Sequence, residues 1–195
     1  MPYTFTNNWF GSQLPIHTKI FNQYINIDEP LKILEIGSHE GRSTTFFVDN
    51  CLTNDLSSVD VIDPWDTNDL TSPVLDSTEN LFINNIKQSK HPNKVNVYKG
   101  YSNNILPELI TKKLKYDYIL IDGSHLTKDV LLDAVLCFEL LKDNGIIFFD
   151  DYLGGSDETR TTLSMPFIGI NAFLTCYHNK IIILHSGYHM VIQKI

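Results

Sequence analysis

Residues 31–43 read LKILEIGSHEGRS. Residues 31–37 form a near-continuous apolar run of the kind that parallel strands, buried on both faces, tend to show. Gly37 supplies the backbone angles of a tight strand-to-helix turn and lets a ligand approach the main chain. Gly41 then opens GRSTTFFVDNCL (41–52), which reads as a helix. Outward from this unit the chain alternates short apolar runs with helical patterns. Further strands are expected at 57–63, 94–100, 116–122 and 145–150, and helices at 14–25, 77–89, 104–114, 127–145 and 167–177. The helix over 127–145 is expected to end on Gly145 as a left-handed cap. Two runs joined at SGY, within 180–195, read as an antiparallel hairpin. Five strand–helix units and a closing hairpin predict a single α/β domain over 1–195 with a mainly parallel sheet, preceded by a helical or lid-like segment over 1–30.

The bulk numbers agree with a globular enzyme-sized domain. The chain has 195 residues, 43% of them hydrophobic and 19% charged, with a formal net charge of −8. An acidic balance argues against a nucleic-acid partner, which calls for a basic surface to meet phosphates. Three cysteines (Cys51, Cys137, Cys176) with no paired spacing argue against a disulfide framework and for a reducing, cytoplasmic compartment. The N-terminus lacks the pattern of a signal peptide, and the apolar runs are too short for a bilayer, so no membrane partner is expected.

The polar signals fall at the carboxyl ends of the expected strands, where open parallel sheets bind ligands. Asp63 closes the second strand and can accept ribose hydroxyls. The spacing E-x-G-x-x-x-G differs from the dinucleotide fingerprint, and Glu35 and His39 suit a cationic ligand bearing a ribose better than a pyrophosphate. S-adenosylmethionine (SAM) fits that description, with Glu35 helping to orient the loop and the amino end. Asp122 ends the fourth strand in IDGSHLTKD (121–129), and Asp150 and Asp151 end the fifth in FFDDY (148–152). Three converging carboxylates repel one another unless a cation lies between them. All-oxygen ligands select a hard ion such as Mg²⁺. Such an ion can acidify an acceptor hydroxyl, and His125 can take its proton. Tyr152, directly after the acids, is expected to face that hydroxyl. Arg160, in SDETRTT, is expected to be solvated, and His17, His91, His178, His185 and His189 show no ligand spacing.

On these residues the chain resembles the class I SAM-dependent methyltransferases, from about residue 31 onward. Glu35, Gly37 and Gly41 match the first motif of that family and Asp63 the second. The resemblance implies a Rossmann-like three-layer sandwich whose seven-stranded sheet ends in an antiparallel strand. It also implies a cofactor site that includes Ser38 and Ser43, with Trp65 and Ser102 near the adenine. The pattern D-G-S-H with D-D-Y is similar to that of the metal-dependent O-methyltransferases acting on sugar hydroxyls. There the acids matching Asp122, Asp150 and Asp151 hold Mg²⁺ and the His matching His125 is the base; in the related catechol-type enzymes a Lys follows the first metal acid closely, and Lys128, nearby but out of register, is only a reserve base. One departure is Asp150, where the macrolide-sugar enzymes can carry Glu. The expected activity is methyl transfer to a hydroxyl of a small acceptor, a sugar or sugar derivative. The alternatives are a metal-dependent hydroxylase-like enzyme and a non-catalytic SAM-binding module. Phe5, Trp9 and Phe10 can form a lid or pack on a second copy in a homo-oligomer.

Overall fold

The structure, a computed structural model, describes residues 3–67, 75, 77–154 and 163–195. The element order is α1 (Phe10–Tyr24), β1 (Lys32–Ile36), α2 (Arg42–Asn50), β2 (Ser58–Asp63), α3 (Thr78–Gln88), β3 (Val95–Lys99), α4 (Ser102–Thr111), β4 (Tyr116–Ile121), α5 (Thr127–Leu140), β5 (Leu141–Phe149), α6 (Pro166–Tyr177), β6 (Ile181–Ser186) and β7 (Met190–Lys194). The seven strands form one sheet in the order β3-β2-β1-β4-β5-β7-β6. β1 to β5 pair in parallel, and β7 runs antiparallel to both of its neighbours. This is the Rossmann-like α/β architecture that the sequence predicts.

The sheet is covered on both faces, which explains its apolar strands. On one face α4, α5 and α6 contribute Leu106, Phe138, Ile170 and Phe173 to a buried cluster. On the other, α1, α2 and α3 contribute Ile20, Phe21, Phe47 and Phe82. α1 directs Phe10, Gln13, His17, Ile20 and Phe21 inward, so two polar side chains lie on its buried face.

The end of α5 departs from expectation. The helix stops at Leu140 and β5 starts at once, with Leu141 paired to Tyr116 before the register shifts to Tyr118↔Ile146. The left-handed residue here is Asn144 (φ 61°) and not Gly145. Asparagine tolerates that conformation, and burial of Leu141 (0% exposed) draws the chain into the sheet four residues early.

Strand order reverses at β1, which lies between β2 and β4. A crevice beyond the carboxyl ends of the strands is the consequence of such a switch point. No helix of the described residues is long and apolar enough to cross a membrane. Cys51, Cys137 and Cys176 are all free thiols.

Candidate active site

A cleft of about 1150 Å³ opens at that switch point. Its walls come from the turns after β1, β2, β4 and β5, the starts of α1 and α4, the inner side of α5 and the β6–β7 turn. Ile121 is in register with Phe149, so the next residues, Asp122 and Asp150, end adjacent strands side by side. The Asp122 amide donates to the Ile36 carbonyl (2.9 Å) and the Asp150 amide to the Ile121 carbonyl (3.0 Å). The backbone ladder thus continues for one residue past the strands and fixes both acids.

Gly37 and Gly41 both take left-handed angles, φ 82° and 80°. A Cβ on Gly37 would lie 2.0 Å from the Asp122 carbonyl oxygen, so the glycine lets the β1 turn press against the β4 turn. Asp63 holds this loop from the side. One oxygen accepts the Ser38 and His39 amides, each at 2.9 Å, and the other accepts the Trp65 amide at 2.8 Å. A carboxylate offers about four lone-pair sites, so Asp63 keeps room for one further donor. Burial raises its pKa, and the three backbone amides oppose that rise.

Glu35 works from beneath. It is fully buried, does not line the cleft, and accepts hydrogen bonds from the Ser43 hydroxyl and the Thr44 hydroxyl (2.6 Å). Through these bonds it pins the first turn of α2. Burial lifts its pKa to about 7, against the pull of the two hydroxyls. A pKa raised on folding stabilises the protein fully below about 4.5 and loses that stabilisation as pH rises through 7. We therefore expect Glu35→Gln to flatten the decline in stability between pH 5 and 8, by an amount on the order of 3 kcal/mol. Urea unfolding across that range checks this, and parallel wild-type and variant profiles would refute it.

The acids converge as expected, with a different division of partners. One ligand atom each from Asp122, His125 and Asp151 lies within 4.8 Å of the others. Asp122 is held well above the carboxylate range by burial first, then by the Asp150 charge and hydrogen bond. Asp150 turns elsewhere: its Oδ2 accepts the Gln13 amide (2.7 Å) and its Oδ1 lies against His189 Nδ1. Asp151 accepts Tyr188 (2.7 Å) and pairs with His125 Nε2 (2.8 Å). That hydrogen bond raises the His125 pKa against the effect of burial. The Asp151 pKa is lowered overall: burial raises it, and the bonds from His125 and Tyr188 outweigh that.

Like Glu35 and Gly41, two further assigned residues, Trp65 and Tyr152, do not line the cleft. Trp65 is 6% exposed, packs on Phe82 (ring centroids 4.9 Å apart) and donates its indole N–H to the His39 carbonyl (2.8 Å). A left-handed backbone at Trp65 (φ 43°) accompanies its turn into the core, where it braces the loop. Tyr152 bonds to Asn171 on α6 (3.1 Å), because Asp151 before it takes a left-handed φ of 49°. Tyr188 lines the cleft in its stead. Ser38, Ser43 and Ser102 do line it, and the Ser38 hydroxyl is buried without a hydrogen-bond partner. Lys128 is paired to Asp129 (2.6 Å) at the rim. Arg160 lies outside the described residues.

Sequence reasoning missed Gln13, His17, Tyr188 and His189. The signal for His189 was its place beside the hairpin: Met190 pairs with Phe149, which sets His189 opposite Asp150.

A family model described as a methyltransferase domain matches residues 34–152, the span from the glycine loop to the paired acids. The chain belongs to that methyltransferase family. An uncharacterized protein, R132, of Acanthamoeba polyphaga mimivirus is 30% identical over 149 residues. That match takes in 74% of this methyltransferase chain, which spans 63% of the length of R132. Among solved structures, an O-methyltransferase from Bacillus cereus in complex with S-adenosylhomocysteine superposes with a TM-score of 0.66 at 18% identity, covering 92% of this chain and 81% of that one. The MycE methyltransferase of mycinamycin biosynthesis, in complex with Mg, S-adenosylhomocysteine and mycinamycin VI, gives 0.63 at 13% identity, covering 98% and 50%. At such identities the methyltransferase shares their fold.

Proposed function

We propose that the chain is a SAM-dependent O-methyltransferase that modifies a hydroxyl of a small acceptor, a sugar or sugar derivative, with a divalent cation at the acid cluster. The observation that carries this reading is the meeting of Asp122, His125 and Asp151 in the cleft that also holds the Gly37 loop and Asp63. The donor set suits a hard cation such as Mg²⁺: Asp122 and Asp150 are buried carboxylates that repel one another, with Asp151 beside them. Asp122, Asp150 and Asp151 would hold it, and its charge would make an acceptor hydroxyl more acidic. SAM supplies the electrophilic methyl group on a sulfonium, which suits an acidic cleft. As the O–C bond forms and the S–C bond breaks, His125 receives the hydroxyl proton. Asp151 stabilises the resulting imidazolium through the 2.8 Å contact. Asp63 and Ser102 fix the nucleoside end, and the half-exposed Trp9 offers a flat apolar face to a sugar ring at the mouth.

Methyl transfer from labelled SAM to a panel of hydroxylated sugars tests the proposal. We expect Mg²⁺-dependent turnover that falls about 100-fold or more in His125→Ala, the scale of a lost general base. Calorimetry that finds no S-adenosylhomocysteine binding would point instead to another use of the fold. The His125–Asp151 pair supports a second reading, in which this dyad alone removes the proton. Turnover undiminished in EDTA would select it.

A further inference from the structure

A buried hydrogen-bond chain runs from the middle of the sheet to the acid cluster. Tyr118 on β4 contacts His17 Nδ1 through its hydroxyl (2.7 Å), and His17 Nε2 contacts Gln13 Oε1 (3.2 Å). Gln13 Nε2 reaches Asp122 Oδ2 (3.2 Å) and Asp150 Oδ2 (2.7 Å). Tyr118, His17 and Gln13 are 0%, 0% and 2% exposed. Chemistry fixes the direction of every bond. Carboxylates accept, so the Gln13 amide nitrogen must face them and its oxygen must face His17. His17 then donates through Nε2 and accepts the tyrosine proton at Nδ1, which requires a neutral ring. Burial, helped by His189, lowers its pKa to about 3 and keeps it neutral. The ring is further held by a parallel stack on Phe148, 4.1 Å between centroids and 11° between planes. A polar side chain buried in this way, with both amide ends committed, is a built contact and not a chance one.

We propose that Gln13 is a positioning residue of the acid cluster. Its locked carboxamide bridges Asp122 Oδ2 and Asp150 Oδ2 and fixes the setting of both carboxylates, so that seating of α1 and metal loading would be coupled. This rests on the metal reading given above. The coupling has a mechanical basis at the other end of the segment. Thr6 bonds to Glu40 through its amide (2.8 Å) and hydroxyl (2.6 Å), and Thr4 and Asn85 exchange two bonds, 2.9 and 2.8 Å. The strap before α1 is thereby tied to the cleft loop and to α3, while Gln13 ties the helix itself to β4 and β5. Partners that hold metal ligands from behind typically change metal affinity 10–100-fold when removed.

The test is Mn²⁺ titration, by calorimetry or by loss of the free-ion electron paramagnetic resonance signal, on the full chain and two variants. Gln13→Met keeps length and helix preference while removing both amide ends. His17→Phe keeps the stack on Phe148 while releasing the amide orientation. We expect the Mn²⁺ Kd to rise about 10–100-fold in Gln13→Met and by a smaller factor in His17→Phe. S-adenosylhomocysteine affinity without metal should stay within about twofold, which general loosening of the fold would not permit. In the wild type Mn²⁺ should slow amide exchange across residues 10–24, and in Gln13→Met it should not. Unchanged Mn²⁺ affinity in Gln13→Met overturns the positioning role while leaving the metal reading intact. A wild-type chain that takes up no Mn²⁺ overturns both.

Discussion

Asp122→Asn should melt at a higher temperature than the wild type in EDTA and yet lose turnover by about three orders of magnitude, the equivalent of ~4 kcal/mol in the barrier. The two halves have one cause. Asp122 is a buried carboxyl whose pKa is raised by desolvation and by its neighbour Asp150. A carboxyl with a raised folded-state pKa gives up stability as pH rises from the ordinary carboxylate range through its folded value. At neutral pH the wild type therefore carries a destabilisation, from burial first and the Asp150 charge second, that an amide removes. Asn keeps an oxygen for the Gln13 amide and gains an N–H that can donate to Asp150. The substitution should fold well and lose its share of the pH dependence. The cost falls on function, because an amide cannot neutralise a cation. Stability bought back at an active site with loss of activity is a known trade-off. Thermal scans at pH 5 and pH 8, set beside initial rates with Mg²⁺, make the comparison. A variant with wild-type melting and full turnover would remove Asp122 from the site.

The same residue shows why much of the site was legible. Apolar periodicity locates strand ends, and parallel sheets gather ligands at those ends, so Asp63, Asp122, Asp150 and Asp151 could be placed from local pattern alone. The 2.9 and 3.0 Å ladder bonds of Asp122 and Asp150 are the physical form of that inference. The direction of a side chain just past a strand is set by the sign of one backbone angle. His39, Trp65 and Asp151 all take left-handed angles on the cleft loops. No pattern of residue types announces this for a tryptophan, and it is what sends Trp65 into the core and Tyr152 toward α6. Departures of this kind concentrate where loops are shaped for function.

Gln13 and His17 were illegible for a different reason. Their spacing of four marks only a shared helix face. That this face meets β4 and β5 is a contact across more than one hundred residues of chain. His189 entered the site through the register of the terminal hairpin, which a one-residue slip would undo. Glu35 shows the converse case. Its place at the end of β1 follows from the strand pattern, whereas its burial at 0% exposure and its bonds to Ser43 and Thr44 depend on packing that the motif does not announce.

Gly37→Ala should be the most disruptive single methyl group that can be added to this chain's cleft. Two effects combine. The left-handed angle of φ 82° costs a non-glycine residue roughly 1–2 kcal/mol. The new Cβ would also meet the Asp122 carbonyl oxygen at 2.0 Å and the Gly123 Cα at 2.7 Å, both backbone atoms that cannot rotate away. Relief requires the β1 and β4 turns to part, which breaks the Asp122 amide bond to Ile36 and moves the first acid of the cluster. We expect a loss of about 3 kcal/mol or more, the range of a buried clash on a strained backbone, with no measurable binding of S-adenosylhomocysteine. Gly41→Ala is the control within the same loop. Its angle is nearly the same, φ 80°, but its Cβ would meet the Phe82 ring edge at 2.9 Å, a side chain able to shift. It should lose about 1–2 kcal/mol and still bind. Urea unfolding and calorimetry on the pair separate the two contributions, since the backbone angle is common to both and the backbone collision belongs to Gly37 alone. Equal losses in the two variants would mean that the turns can part freely, and the tight apposition of the glycine loop with Asp122 would then have no part in forming the site.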